Sequence, residues 1–224
     1  QNINDEDIEA VTSVLKSDFL TQGPCVPQFE KNLSNYCGAN HAVAVNSATS
    51  ALHIACLAVG LGPGDILWTS PNSFVASSNC ALYCGANVDF VDIDPFTFNI
   101  SIDALNDKLR IAKQSNALPK VLVPVHLCGL PSEMREINRL AKEYGFKVIE
   151  DASHAIGSQL NGISTGSCQY SDITVFSFHP VKIITSGEGG AALTNNGHLA
   201  KRMNMFRTHG IINNLEEMTE RPND

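Results

Sequence analysis

The chain has 224 residues, of which 43% are hydrophobic and 17% charged, enough to bury a core in one large α/β domain or two small ones. Its net charge of −8 argues against partners such as nucleic acid or an anionic membrane, which need a basic surface. No apolar run is long enough to span a bilayer and no signal-peptide pattern opens the sequence, so a cytoplasmic protein is expected.

In chain order, Asn4 reads as an N-cap with acids in the following turn, and Ile8, Val11 and Leu15 follow at helical spacing. Phe29, Leu33 and Tyr36 mark a second helix, so residues 1 to about 40 form a helical segment. Strands are expected at 41–45, 66–69, 88–93, 120–127, 146–150, 173–178 and 189–194. Between them, 49–59 is apolar nearly all round and predicts a buried helix. Further helices are expected over 73–84, around Met134, Ile137, Leu140 and Tyr144, and around Leu199, Met203 and Phe206. Several strands are apolar without alternation, the pattern of strands covered on both faces. The order of elements predicts a largely parallel seven-stranded sheet with helices on both faces.

In such sheets chemistry collects at the carboxyl ends of the strands. The first strand runs into Asn46, Ser47, Ala48, Thr49 and Ser50, which open the buried helix. A helix start with small residues and hydroxyls suits a phosphate, and suits a plain N-cap equally well. The strand at 146–150 leads to Asp151, Ala152, Ser153 and His154. A buried acid demands a partner: a protonated heterocycle, a metal, or the next turn of backbone. The strand at 173–178 leads through His179 to Lys182 and then to a glycine-rich run at 187–190. A lysine there reads as a solvated surface residue, or as an amine freed by desolvation to form an imine. A phosphate site, a strand-end acid and a strand-end lysine are together what pyridoxal 5′-phosphate (PLP) requires. The seven cysteines are odd in number and hold no CxxC pair, so reduced, mostly buried thiols are expected and no metal site. No GxGxxG follows the first strand, which argues against a dinucleotide-binding domain.

The stretches NSATSALHIA, PNSFVASSN, IEDASHAIGS and FSFHPVK with TSGEGG resemble the motifs of the DegT/StrS-type sugar-nucleotide aminotransferases. The resemblance covers essentially the whole chain. It implies a fold-type I PLP-dependent transferase large domain over residues 1–224, with the smaller C-terminal domain of that family not present. Gln1 in place of Met, and the loop-like NLEEMTERPND at the end, read as cut ends. The resemblance further implies Lys182 as the Schiff-base lysine and proton shuttle, Asp151 on the pyridine nitrogen, and His154 on the phenolic oxygen. Thr49, Ser50, Ser177 and the backbone of Ala48 would hold the phosphate, and Phe74 would stack on the ring. Asp18, Phe19, Leu20 and Thr21, with Gln22 and Gly23, would approach the sugar nucleotide. Ile183 stands where the family often has His or Asn. The implied reaction moves an amino group from glutamate, leaving 2-oxoglutarate, to C4 of a UDP-linked 4-keto-6-deoxy-N-acetyl hexose, as in pseudaminic acid-type synthesis. Other 4-keto sugars, perosamine-type included, and a PLP-binding fragment without turnover are the alternatives. The implied partner is a second copy, in a homodimer.

Overall fold

A computed structural model describes residues 2–211, so the closing stretch NLEEMTERPND lies outside the described residues. Two helices lead the chain, α1 (Asp5–Leu15) and α2 (Cys25–Cys37). Asn4 caps α1 through a reciprocal pair: its side chain accepts from the Asp7 amide, and its own amide donates to the Asp7 carboxylate. The apolar residues of α1 do not enter the core. Ile8, Val11 and Leu15 are all more than half exposed.

The elements that follow are β1 (His41–Val45), α3 (Ala48–Ala58), β2 (Ile66–Thr69), α4 (Ala76–Tyr83), β3 (Asn87–Phe90), α5 (Ile102–Gln114) and β4 (Val121–Val123). Then come α6 (Met134–Tyr144), β5 (Lys147–Asp151), β6 (Gln159–Leu160), β7 (Ile163–Ser164), β8 (Ile173–Ser177), β9 (Gly190–Thr194) and α7 (Gly197–Arg207). The main sheet has seven strands in the order β1-β9-β8-β5-β4-β2-β3, and β6 with β7 forms a separate small hairpin. Six strands of the main sheet run parallel. β9 is the exception, antiparallel to both β1 and β8.

Helices cover both faces, as continuous apolar strands require. One face buries Leu52, Ala55 and Cys56 of α3, Cys80 of α4 and Met203 of α7 against Val43, Ile149 and Val175. The other buries Leu105 and Leu109 of α5 and Ile137 and Leu140 of α6 against Leu122, Val148 and Trp68. Five of the seven cysteines are buried, and Cys25 and Cys128 are exposed. Among the described residues no helix is long and apolar enough to cross a membrane.

The strand expected over 88–93 ends at Phe90, and the β6–β7 hairpin lies where no strand is expected; the structure corrects the expected elements in three further places. Helix α5 lies where none was placed; Ser101 caps it and Leu105, Leu109 and Ala112 face inward. The strand expected over 120–127 ends at Val123, because Pro124 has no amide for the ladder. The helix expected from 73 begins at Ala76, since residues 70–75 form a loop leading away from β2.

Leu122 is fully buried at the centre of the sheet. Leu122→Ala is expected to lower the unfolding free energy by about 2–5 kcal/mol. Ile8→Ala, on the exposed face of α1, should change it by less than about 0.5 kcal/mol. Urea titrations of both variants check the contrast.

Candidate active site

The carboxyl ends of β1, β5 and β8 and the amino end of β9 meet at one edge of the sheet. In the register, Val45 and Ser177 both lie opposite Gly190, while Asp151 lies beside Val175. A cavity of about 310 Å³ opens there, lined by Ala48, Thr49, Asp151, His154, Ser177 and Lys182, with Phe74 at its side. Seven of the residues expected in the site from the sequence are thus gathered in one place.

Asp151 ends the central strand β5 and is only 5% exposed. One carboxylate oxygen accepts from the Ser77 hydroxyl at 2.6 Å. The other accepts from the Ser153 hydroxyl at 2.6 Å and from the Ser153 amide at 3.2 Å. The turn-capping reading of Asp151 is therefore realised, and a carboxylate lining the cavity remains available to a cationic partner. The sequence reading missed Ser77 and Ser153. Ser153 was legible as the residue two past an Asp, a spacing at which side chain and amide close an Asx turn. Ser77 reaches Asp151 only because α4 follows β2, two strands away in the sheet, which spacing along the chain cannot reveal.

Glu150, next to Asp151, points to the opposite face of the strand. Its carboxylate accepts from Thr174 at 2.9 Å, from Ser171, and from His126 Nε2 at 2.7 Å. Burial pushes this carboxyl up, but His126 and the two hydroxyls more than offset that and hold it below its ordinary range.

Helix α3 begins at the cavity. Ser47 caps it, its hydroxyl oxygen accepting from the Ser50 amide at 3.1 Å. The N-cap reading of this segment is therefore also realised, and it is compatible with an anion. The first-turn amides of Ala48 and Thr49 have no partner one turn earlier within the helix, and the helix dipole favours negative charge at this end. Ser177 Oγ accepts from the His179 amide at 3.4 Å, which leaves its proton to donate. Gly190 makes this crossing possible. A Cβ there would lie 2.3 Å from Ser47 C and 2.4 Å from the Ala48 nitrogen. Ser50 sits apart, in a neighbouring depression with Thr21, His53 and Arg207.

Lys182 is carried by the loop between β8 and β9. Phe178 pins that loop: its amide donates to the Gly189 carbonyl, and its carbonyl accepts from the Ser186 amide and the Thr185 hydroxyl. The Lys182 amide donates to the His179 carbonyl at 2.9 Å. His179 and Glu188 also line the cavity, 3.9 Å apart; the sequence reading assigned neither a role. His154 is held below its ordinary pKa, first by burial and then by the Lys182 ammonium, with Asp151 acting against both.

The expected substrate residues are not at this cavity within one chain. Phe19, Leu20 and Thr21 line a separate depression with Ser13, Val14 and Ser17. Asp18 lies exposed on the same loop.

A mostly parallel sheet with helices on both faces, carrying a strand-end acid and a lysine on the loop after a neighbouring strand at one cavity, is the architecture of the fold-type I PLP-dependent transferases. The chain belongs to the DegT/DnrJ/EryC1/StrS aminotransferase family, which it matches over residues 1–221. It is 44% identical over 212 residues to a UDP-4-amino-4,6-dideoxy-N-acetyl-beta-L-altrosamine transaminase of Campylobacter jejuni, covering 95% of this chain and 54% of that protein. Among solved structures it is similar to Helicobacter pylori PseC, an aminotransferase involved in the biosynthesis of pseudoaminic acid. The TM-score is 0.88 at 34% identity, covering 99% of this chain and 58% of that one. The PLP form of a putative sugar aminotransferase from Streptococcus pneumoniae gives a TM-score of 0.82 at 28% identity, covering 93% of this chain and 57% of that one. The chain spans about half the length of the curated relatives it matches.

Gly190→Ala is expected to cost about 1–3 kcal/mol of stability, because β9 and the start of α3 must move apart. Gly62→Ala, with nothing within 4 Å of the added carbon, serves as the near-neutral control. Equal urea midpoints for the two would contradict the close approach.

Proposed function

We propose that residues 1–224 form the PLP-binding large domain of an aminotransferase, which moves an amino group from glutamate to C4 of a UDP-linked 4-keto-6-deoxy-N-acetyl hexose. The observation that carries this reading is the convergence of Lys182, Asp151, His154, Ser177 and the start of α3 on one cavity. These residues suit the cofactor. The Ala48 and Thr49 amides and the Ser177 hydroxyl offer donors to a phosphate. The Asp151 carboxylate favours a protonated pyridine nitrogen across from it. The Phe74 ring, 70% exposed at the cavity's side, offers a face for stacking. When bound, PLP supplies a carbonyl that takes up amines and a ring that accepts electrons.

Lys182 then has two tasks, holding the cofactor between turnovers and carrying a proton between carbon atoms during them. His154 offers a hydrogen bond to the ring's phenolic oxygen. The hexose assignment is supported by the identity to the Campylobacter jejuni transaminase and the likeness to PseC. Glutamate is the donor and 2-oxoglutarate the product, and the work is done in the cytoplasm.

The working form is a homodimer in this reading. Support comes from the uncovered apolar residues of the N-terminal segment: Ile8, Val11, Leu15, Phe19 and Leu20 are each more than half exposed, a clustering that marks interaction surfaces. In a pair of chains the loop of Asp18, Phe19, Leu20 and Thr21 is free to face the partner's cavity and its sugar nucleotide.

The test is spectroscopic. PLP added to the purified chain should produce a visible absorption band, and glutamate should bleach it with release of 2-oxoglutarate. Lys182→Ala should abolish the band and slow any turnover by roughly 10²-fold or more. A band that glutamate leaves unchanged would mean a binding fragment without turnover. A band equally strong in Lys182→Ala would remove Lys182 from the chemistry.

A further inference from the structure

His154 lines the cavity, but what determines its protonated nitrogen lies outside it. The Cys128 amide donates to His154 Nδ1 at 3.3 Å. A backbone amide has a proton to give and no lone pair to offer. Nδ1 must therefore be bare, and Nε2–H is the ring's donor. Burial and the Lys182 ammonium both oppose a second proton on the ring. The expected role of His154 toward a phenolic oxygen needs this tautomer, because an oxygen acceptor requires N–H from the ring.

Cys128 sits in an unusual piece of backbone. It belongs to the 3₁₀ turn Leu127–Gly129, and its own φ is 53°, in the left-handed region that non-glycine residues rarely occupy. Gly129 follows with φ 88°. Such a turn persists only when its surroundings over-determine it. Asn99 is the surrounding group that does so. It is 3% exposed and lies outside the cavity. Its Oδ1 accepts from the Leu127 amide at 3.0 Å, and its Nδ2 donates to the Leu130 carbonyl at 2.9 Å. Both partners are backbone groups of fixed polarity, so the orientation of the amide is decided. From the other side, Ser158 Oγ donates to the Gly129 carbonyl at 2.7 Å. Gly129 also passes close beneath His154: a Cβ on it would come within 2.9 Å of the His154 carbonyl oxygen.

We infer that Asn99 is a positioning residue for His154: by clamping both ends of the 127–130 turn it aims the Cys128 amide at Nδ1 and so fixes Nε2–H as the ring's donor. The inference rests on the proposed function for the meaning of that donor, but the tautomer itself is a property of the chain. A residue with the same spacing and no hydrogen-bonding amide leaves the turn free to relax, and the amide then leaves Nδ1.

The test reads the tautomer directly. The 224-residue chain is prepared with ¹⁵N-histidine, and long-range proton–nitrogen correlation spectra are recorded with and without PLP. His154→Gln assigns the His154 signals by their loss. The wild type should show His154 with Nε2 protonated and Nδ1 bare. In Asn99→Ala and in Gly129→Ala the ratio of the two tautomers should fall by roughly 2- to 10-fold, the range an ordinary hydrogen bond sustains. A purely structural role for Asn99 would lower the thermal midpoint and leave the tautomer ratio alone, which would overturn the inference. So would a wild-type His154 protonated at Nδ1. Should Asn99→Ala fail to fold, Asn99→Asp, which keeps the acceptor and loses the donor, carries the same decision. Failure of PLP to bind would count against the proposed function and leave the tautomer result standing.

Discussion

Two consecutive carboxylates end the central strand β5, and the site depends on both being satisfied. The strand is covered on both faces, so neither Glu150 nor Asp151 can rely on bulk water. A buried charge without partners costs several kcal/mol. Alternation sends the two to opposite faces. Glu150 is closed off by His126, Ser171 and Thr174. Asp151 is only partly closed off, by Ser77 and Ser153, and it lines the cavity. One carboxylate fixes the strand end to its neighbours, and the other faces the cavity. His126 links the two: its amide donates to the Asp151 carbonyl while its ring holds Glu150.

Sheet topology brings the remaining groups to that charge. Because β9 runs against β1 and β8, its first residue meets the last residues of both. That residue is Gly190, and the absence of a side chain lets the start of α3 lie directly against it. The loop joining β8 to β9 leaves and returns at the same edge, and Lys182 on it lines the cavity. Asp151, Ser177 and the start of α3 thus sit on elements whose positions the core fixes, while His154 and Lys182 stand on the turns that follow β5 and β8. Asn99 and the 127–130 turn extend the same logic one layer outward, to the tautomer of His154.

Much of this was legible along the chain. All seven strands of the main sheet were placed, because runs such as those at 41–45 and 173–178 are apolar without alternation and are bounded by turn residues. Lys182, Asp151 and the start of α3 were found by asking what stands at the strand ends. Helix α5 is the exception: its apolar residues are interleaved with charged ones, although Ser101 and Leu105, Leu109 and Ala112 mark it. Ser77 and Asn99 were invisible for a different reason. Each acts on a residue brought near by the sheet order, across 74 positions from Ser77 to Asp151 and 28 from Asn99 to Leu127. No local pattern carries that information. The same limit applies to the loop at Asp18, Phe19, Leu20 and Thr21, which the fold sets apart from the cavity of its own chain.

The central claim is that Lys182, on the loop that follows β8, is the residue built to hold the cofactor. Borohydride reduction of the PLP-loaded chain, followed by peptide mass spectrometry, tests it most directly. The account expects a single phosphopyridoxyl group, on the peptide containing Lys182. The group on another lysine, or spread over several, would contradict it.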